Sequence, residues 1–213
     1  SEDVTALYQK CWGELFPLGG LAGFPFTGKT GWGAFSSHCP KEGNIVILFA
    51  PHVGVDHTGK IGSFFREGQD GGSRACGAAI GAYLAAKEDQ NVGDFKNGYL
   101  DHQMDCIKHL LVPKVPMISE AKNEMADLAY HMYTIQLEFI EQILNSNWMD
   151  SGSKLALIGG LQINCDGERN DMFLPLIFEV RDKAGNKSDV YEEVFGKVSP
   201  IHKFKENTPG ADA

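Results

Sequence analysis

Between Ser119 and Asn145 the apolar residues Met125, Leu128, Met132, Ile135, Phe139, Ile140, Ile143 and Leu144 recur at three- and four-residue spacing. That period is the stripe of an amphipathic helix, and it predicts the longest helix of the chain. Asn44–Ala50, NIVILFA, is short and continuously apolar, as a strand buried on both faces must be. Lys154–Asn164 and Met172–Val180 predict two further strands, divided by the polar turn CDGERND and paired as a hairpin. Val4–Leu15 has helical spacing, and Asp56–Gln69 alternates turn residues with short apolar pieces, a hairpin-like excursion. Ser73 stands as N-cap to a helix ACGAAIGAYLAAKE, Ala75–Glu88. Residues 17–38, PLGGLAGFPFTGKTGWGAFSSH, are so rich in glycine that tight turns are expected there.

Strands alternating with helices place the chain in the α/β class, with a mainly parallel sheet flanked by helices and a C-terminal hairpin. One domain is expected over residues 1–205, followed by a loose polar tail over 206–213.

The length of 213 residues, with 43% hydrophobic and 22% charged residues, suits a globular domain with a substantial core. A net charge of -9, with no cluster of lysine and arginine, argues against a nucleic-acid surface. No apolar run approaches the ~18 residues that a membrane-spanning helix needs. Neither a secretory signal nor a transit peptide stands at the start. The five cysteines, Cys11, Cys39, Cys76, Cys106 and Cys165, are odd in number and scattered. They fit a reducing compartment and buried thiols better than a disulfide framework.

Gly23–Thr30, GFPFTGKT, satisfies the G-x-x-x-x-G-K-[ST] pattern of a phosphate-binding loop. Such a loop needs a strand before it and a helix after it, whose N-terminal amides hold phosphate. Gly31 and Gly33 would interrupt that helix, so the alternative is a glycine-rich turn that brings two backbones together.

His52 falls at the end of the apolar run, where open α/β sheets place ligands. Cys76 falls near a helix N-terminus, which lowers a thiol's pKa and favours the thiolate that binds zinc. An imidazole and thiolates with one open position make a catalytic zinc set. A capping histidine beside a packed cysteine is the alternative, and the 23 residues between them are no short zinc-ligand spacing.

The stretches LAGFPFTGKTGWGAFSSH, FAPHVGVD, TGKIG, REGQ, SRACGAA, GGLQIN and FLPLIFEV closely resemble the limiting-CO2-inducible protein B family. The likeness runs over nearly the whole chain. It implies a homodimeric fold similar to β-class carbonic anhydrases and a zinc ion held by Cys, His and Cys. The activity implied is reversible hydration of CO2 to bicarbonate by zinc-activated water, in a chloroplast CO2-concentrating mechanism. On this resemblance His52 and Cys76 are metal ligands. The other cysteine ligand is expected ahead of Ser1, with Cys11 and Cys39 as substitutes, and Ser1 stands where the family carries arginine.

An acid that orients the reacting water is expected among Glu2, Asp3 and Asp56, with Arg66 or Arg74 as its partner. His38 and His57 are candidate proton shuttles or surface histidines. The rival functions are a catalytically silent structural or regulatory protein of the same fold, and nucleotide binding at residues 23–30.

Overall fold

The computed structural model describes residues 8–13, 15–65, 68, 71–91, 100–146, 154–166 and 170–197. The site candidates Glu2, Asp3 and Arg66, together with Ser1, lie outside these residues, as do the polar segment 206–213 and residues 4–7 and 14 of the expected Val4–Leu15 helix, of which residues 8–12 are helical.

The helices are α1 (Gly28–His38), α2 (Gly77–Glu88), α3 (His102–Leu111), α4 (Val115–Glu120), α5 (Glu124–Ser146) and α6 (Tyr191–Phe195). The strands are β1 (Ile45–Phe49), β2 (His52–Val55), β3 (Ser63–Phe64), β4 (Ser73–Arg74), β5 (Leu155–Cys165), β6 (Met172–Arg181) and β7 (Lys187–Asp189).

The architecture is α/β, a central sheet flanked by helices. The sheet is mixed: β1 and β2 run parallel to β5, while β5–β6 and β6–β7 are antiparallel. The expected C-terminal hairpin is β5–β6. β1 and β2 keep one register, Ile45 opposite Leu155 and His52 opposite Gln162. They form a single edge interrupted at Pro51, which has no N–H to donate but whose carbonyl still accepts from Gln162 N–H at 3.0 Å. His52 therefore opens the second half of this edge and does not end a strand, a correction to the sequence reading. The excursion after Val55 is present as a Val55–Ile61 bridge followed by the small β3–β4 ribbon.

α5 is the spine of the core. Leu128, Met132 and Ile135 face a cluster with Tyr83, Ile107, Leu111 and Ile118 from α2, α3 and α4. Ala129, Tyr133, Ile140, Ile143 and Leu144 face a second cluster with Trp32, Phe49, Leu155 and Leu157. A helix buried on two sides has its apolar pattern imposed from both, which is why its periodicity is so regular. It begins at Glu124 and not Ser119, because the Asn123 Oδ1 accepts the N–H groups of Met125 and Ala126 and caps it. Ser73 does not cap α2: it lies in β4, and Cys76 holds the N-cap position.

The glycine-rich segment also departs from expectation, since α1 is helical through Gly31 and Gly33. Trp32, 2% exposed, is packed into the second cluster with Phe35 beside it. Burial of a large aromatic outweighs the ~1 kcal/mol that each helical glycine costs. Among the described residues no strand precedes this helix; residues 15–20 are irregular and Leu21–Gly23 is a 3-10 turn. Gly23–Thr30 therefore lacks the strand of a phosphate-binding loop, and Lys29 and Thr30 are exposed on α1.

Candidate metal centre

β2 and the N-terminus of α2 bring His52 and Cys76 together. The Gly54 N–H donates to the Ala75 carbonyl at 3.1 Å, and the Ala75 N–H donates to the Gly62 carbonyl at 3.3 Å. These bonds fasten the residue before Cys76 to the β2 edge.

The His52 ring and the Cys76 thiol line one cavity, and the two groups perturb each other. His52 is raised above its ordinary value, chiefly by the bond to Cys76, against the opposing effect of burial. For Cys76, burial pushes the thiol up. The neighbouring His52 ring and hydrogen bonds from the backbone N–H groups of Ala79 and Ala78 outweigh that and hold it below the ordinary thiol range. Amides at the start of α2 thus favour the thiolate, as a helix N-terminus should.

The other ring nitrogen of His52 is engaged. Nδ1 lies 2.8 Å from Oδ1 of Asn164, and Nδ2 of Asn164 donates to Oδ2 of Asp171 at 2.7 Å. The register His52–Gln162 puts Asn164, two residues on, on the same face of the sheet. Sequence reasoning missed Asn164 and Asp171. The one signal was the pair of amides, Gln162 and Asn164, in the otherwise apolar strand GGLQIN.

His52 and Cys76 line a small cavity with the apolar residues Ala22, Val53, Ile80 and Met132. It has room for roughly one water-sized molecule.

The remaining candidates have other attachments. Asp56 closes a tight turn, its Oδ1 accepting the Thr58 N–H, the Thr58 hydroxyl and the Lys60 N–H. His38 lies exposed at the end of α1 with Nδ1 2.7 Å from the Ala34 carbonyl oxygen. His57 is 66% exposed, 3.7 Å from Asp166 Oδ2 and against the Phe65 ring. Arg74 is exposed on β4. Cys11 is exposed; Cys39 is half-buried against the second core cluster, and burial pushes its thiol up. Among the described residues, no group of three or more His, Cys, Asp or Glu converges as a metal-binding cluster. The two donors that do meet, a thiolate-favouring cysteine and a neutral-capable imidazole, match the ligand chemistry of zinc.

The family model described as limiting CO2-inducible proteins B/C beta carbonic anhydrases matches residues 1–182. The crystal structure of PtLCIB4, a homolog of the limiting CO2-inducible protein LCIB, is similar with a TM-score of 0.79 and 34% identity. That match covers 89% of this chain and 80% of PtLCIB4. A point mutant of PtLCIB4 matches with a TM-score of 0.77 and 34% identity, over 88% of this chain and 78% of the mutant. LCIB itself shares the fold, at a TM-score of 0.61 and 21% identity over 89% of this chain and 81% of LCIB. No curated protein matches the chain.

Proposed function

The chain belongs to the limiting CO2-inducible B/C family of beta carbonic anhydrases, and from that premise we propose that it hydrates CO2 reversibly to bicarbonate with zinc held by His52 and Cys76. One observation carries the reading. A thiol held toward thiolate at a helix N-terminus meets an imidazole whose far nitrogen is already occupied, and both line one small apolar cavity.

Bound zinc supplies water activated for attack near neutral pH. The chain's own residues do the rest. The Cys76 sulfur and His52 Nε2 are the donors, and the α2 amides of Ala78 and Ala79 keep the sulfur anionic. Val53, Ile80 and Met132 give the cavity an apolar wall that admits a small uncharged molecule and excludes bulk water. Asp3 is our candidate for the acid that orients the reacting water, with Arg66 as its partner. Among the described residues, no third His, Cys, Asp or Glu converges on His52 and Cys76.

The setting proposed is a CO2-concentrating mechanism in the chloroplast, in keeping with the family's induction by limiting CO2. A homodimer is proposed as well, supported by the sheet face opposite α5. There the register aligns Val46, Leu48, Ala156, Ile158, Phe178 and Val180, all apolar and half-buried or exposed. Light scattering at micromolar concentration should give twice the chain mass.

The test of activity is zinc content and initial CO2 hydration rate for the parent, His52→Ala and Cys76→Ser. The parent should carry one zinc per chain and hydrate CO2, and each variant should lose both while keeping its far-ultraviolet circular dichroism. Stoichiometric zinc in either variant would remove that residue from the ligand set. A zinc-loaded parent without hydration activity would make the chain a silent protein of this fold.

A further inference from the structure

Asn164 is 7% exposed near the C-terminal end of β5. A buried amide there costs free energy unless both its ends are bonded. Both are, and the chemistry of one partner fixes the roles of all the others. Asp171 is a carboxylate, and a carboxylate only accepts. Its Oδ1 takes the Cys165 N–H at 2.9 Å and its Oδ2 takes the Asn164 amide at 2.7 Å. The amide nitrogen must therefore face Asp171, which turns the Asn164 carbonyl oxygen toward His52. That oxygen can only accept, so the His52 Nδ1, 2.8 Å away, must carry the proton.

We propose that Asn164 and Asp171 are positioning residues that hold His52 with its proton on Nδ1 and so leave the Nε2 lone pair free for the metal. The Cys165 N–H anchors the chain of bonds to β5, so the ring orientation is inherited from the sheet. The free histidine side chain in water favours the opposite tautomer, with the proton on Nε2, which leaves that nitrogen no lone pair for a metal. Outer partners of this kind fix both ring orientation and ligand basicity, and their loss typically weakens metal binding by about 10- to 100-fold. The inference rests on the zinc reading above, but its first consequence, the tautomer, is readable without metal.

The test uses the full chain, labelled with 15N at histidine and freed of metal, at a pH high enough for a neutral His52 ring. The parent should show His52 protonated at Nδ1, and Asn164→Leu should shift it to the Nε2-protonated form. Zinc affinity, measured by competition with a chromophoric chelator, should fall about 10- to 100-fold in Asn164→Leu. Asp171→Ala, an exposed position that leaves the core intact, should show a smaller loss in the same direction because the amide is then free to rotate. An unchanged tautomer in Asn164→Leu, or parental zinc affinity in both variants, overturns the proposal. A parent that binds no zinc would defeat the metal reading alone, since the metal-free spectrum still decides the role of Asn164.

Discussion

The backbone of Gly54 lies against that of Ala75, N–H to carbonyl at 3.1 Å, and this contact holds Cys76 within reach of His52. A Cβ on Gly54 would sit 2.7 Å from the Ser63 carbonyl oxygen and 3.0 Å from the Ala75 Cβ. Neither neighbour is the free end of a flexible side chain, so only glycine permits the approach. Gly54→Ala should push the Ala75–Cys76 segment off the sheet edge and weaken zinc binding by about tenfold or more, equivalent to ~1.4 kcal/mol. Chelator competition measures the loss, and circular dichroism checks that α2 survives. Parental affinity would show that the site tolerates a wider spacing than the contact implies.

Lys29 answers the other question raised by the glycine-rich segment. It is exposed on α1, and the described residues 15–27 ahead of it hold no strand to aim a phosphate at the helix. Lys29→Ala should leave zinc content and hydration rate unchanged and stability within about 0.5 kcal/mol. Calorimetric titration of the parent with ATP should give no saturable heat. Saturable binding that Lys29→Ala abolishes would reinstate a nucleotide site at residues 23–30.

Elements whose signal is local were legible in the sequence. α5 announces itself because two clusters bury two stripes of one helix, and β1 and the β5–β6 hairpin because their apolar runs are nearly continuous in the sequence, although β1 is not buried on both faces, Val46 being exposed. α1 was hidden because its stability comes from Trp32 docking against distant strands, which its own glycines contradict. His52 and Cys76 were readable mainly through the family's motifs. Asn164 was not, because its partner His52 is 112 residues away and only the β2–β5 register brings them together.

Gly31 and Gly33 within α1 are predicted to behave oppositely. A Cβ on Gly31 would lie 2.3 Å from the Thr27 Cβ, and Thr27 is itself fixed by its hydroxyl donating to the Leu18 carbonyl at 2.9 Å. A Cβ on Gly33 meets nothing within 4 Å. Gly33→Ala should therefore stabilise by about 0.5–1 kcal/mol through helix propensity and a less free unfolded chain. Gly31→Ala should destabilise by about 1–3 kcal/mol, as overpacking does. Urea unfolding of the two variants decides the matter, and equal shifts of one sign would mean that α1 responds only to propensity.

The last prediction concerns the ion pairs that join α5 to the hairpin. Arg181, its side chain 4% exposed, donates to Glu141 from both terminal nitrogens, the Nη1 bond being 2.9 Å, and to Glu179 Oε2 at 2.7 Å. Burial alone would raise the Glu141 carboxyl, but the bonds from Arg181 and Lys187 outweigh it and hold it below the ordinary carboxylate range. A carboxylate depressed in the folded state adds stability above its unfolded pKa, and loses it as the pH falls through the folded value. The parent should thus lose thermal stability below about pH 4.5, where unfolded glutamates begin to bind protons. Glu141→Gln removes the charge, keeps one acceptor and leaves Glu179 in place, so the loss at neutral pH should be about 1–3 kcal/mol. Its acid limb should be flatter than the parent's, because one proton-linked contribution has been removed. Thermal midpoints from pH 7 down to pH 3 measure both. Parallel curves for parent and variant would show that Glu141 does not supply the acid sensitivity and that Arg181 is satisfied by Glu179 alone.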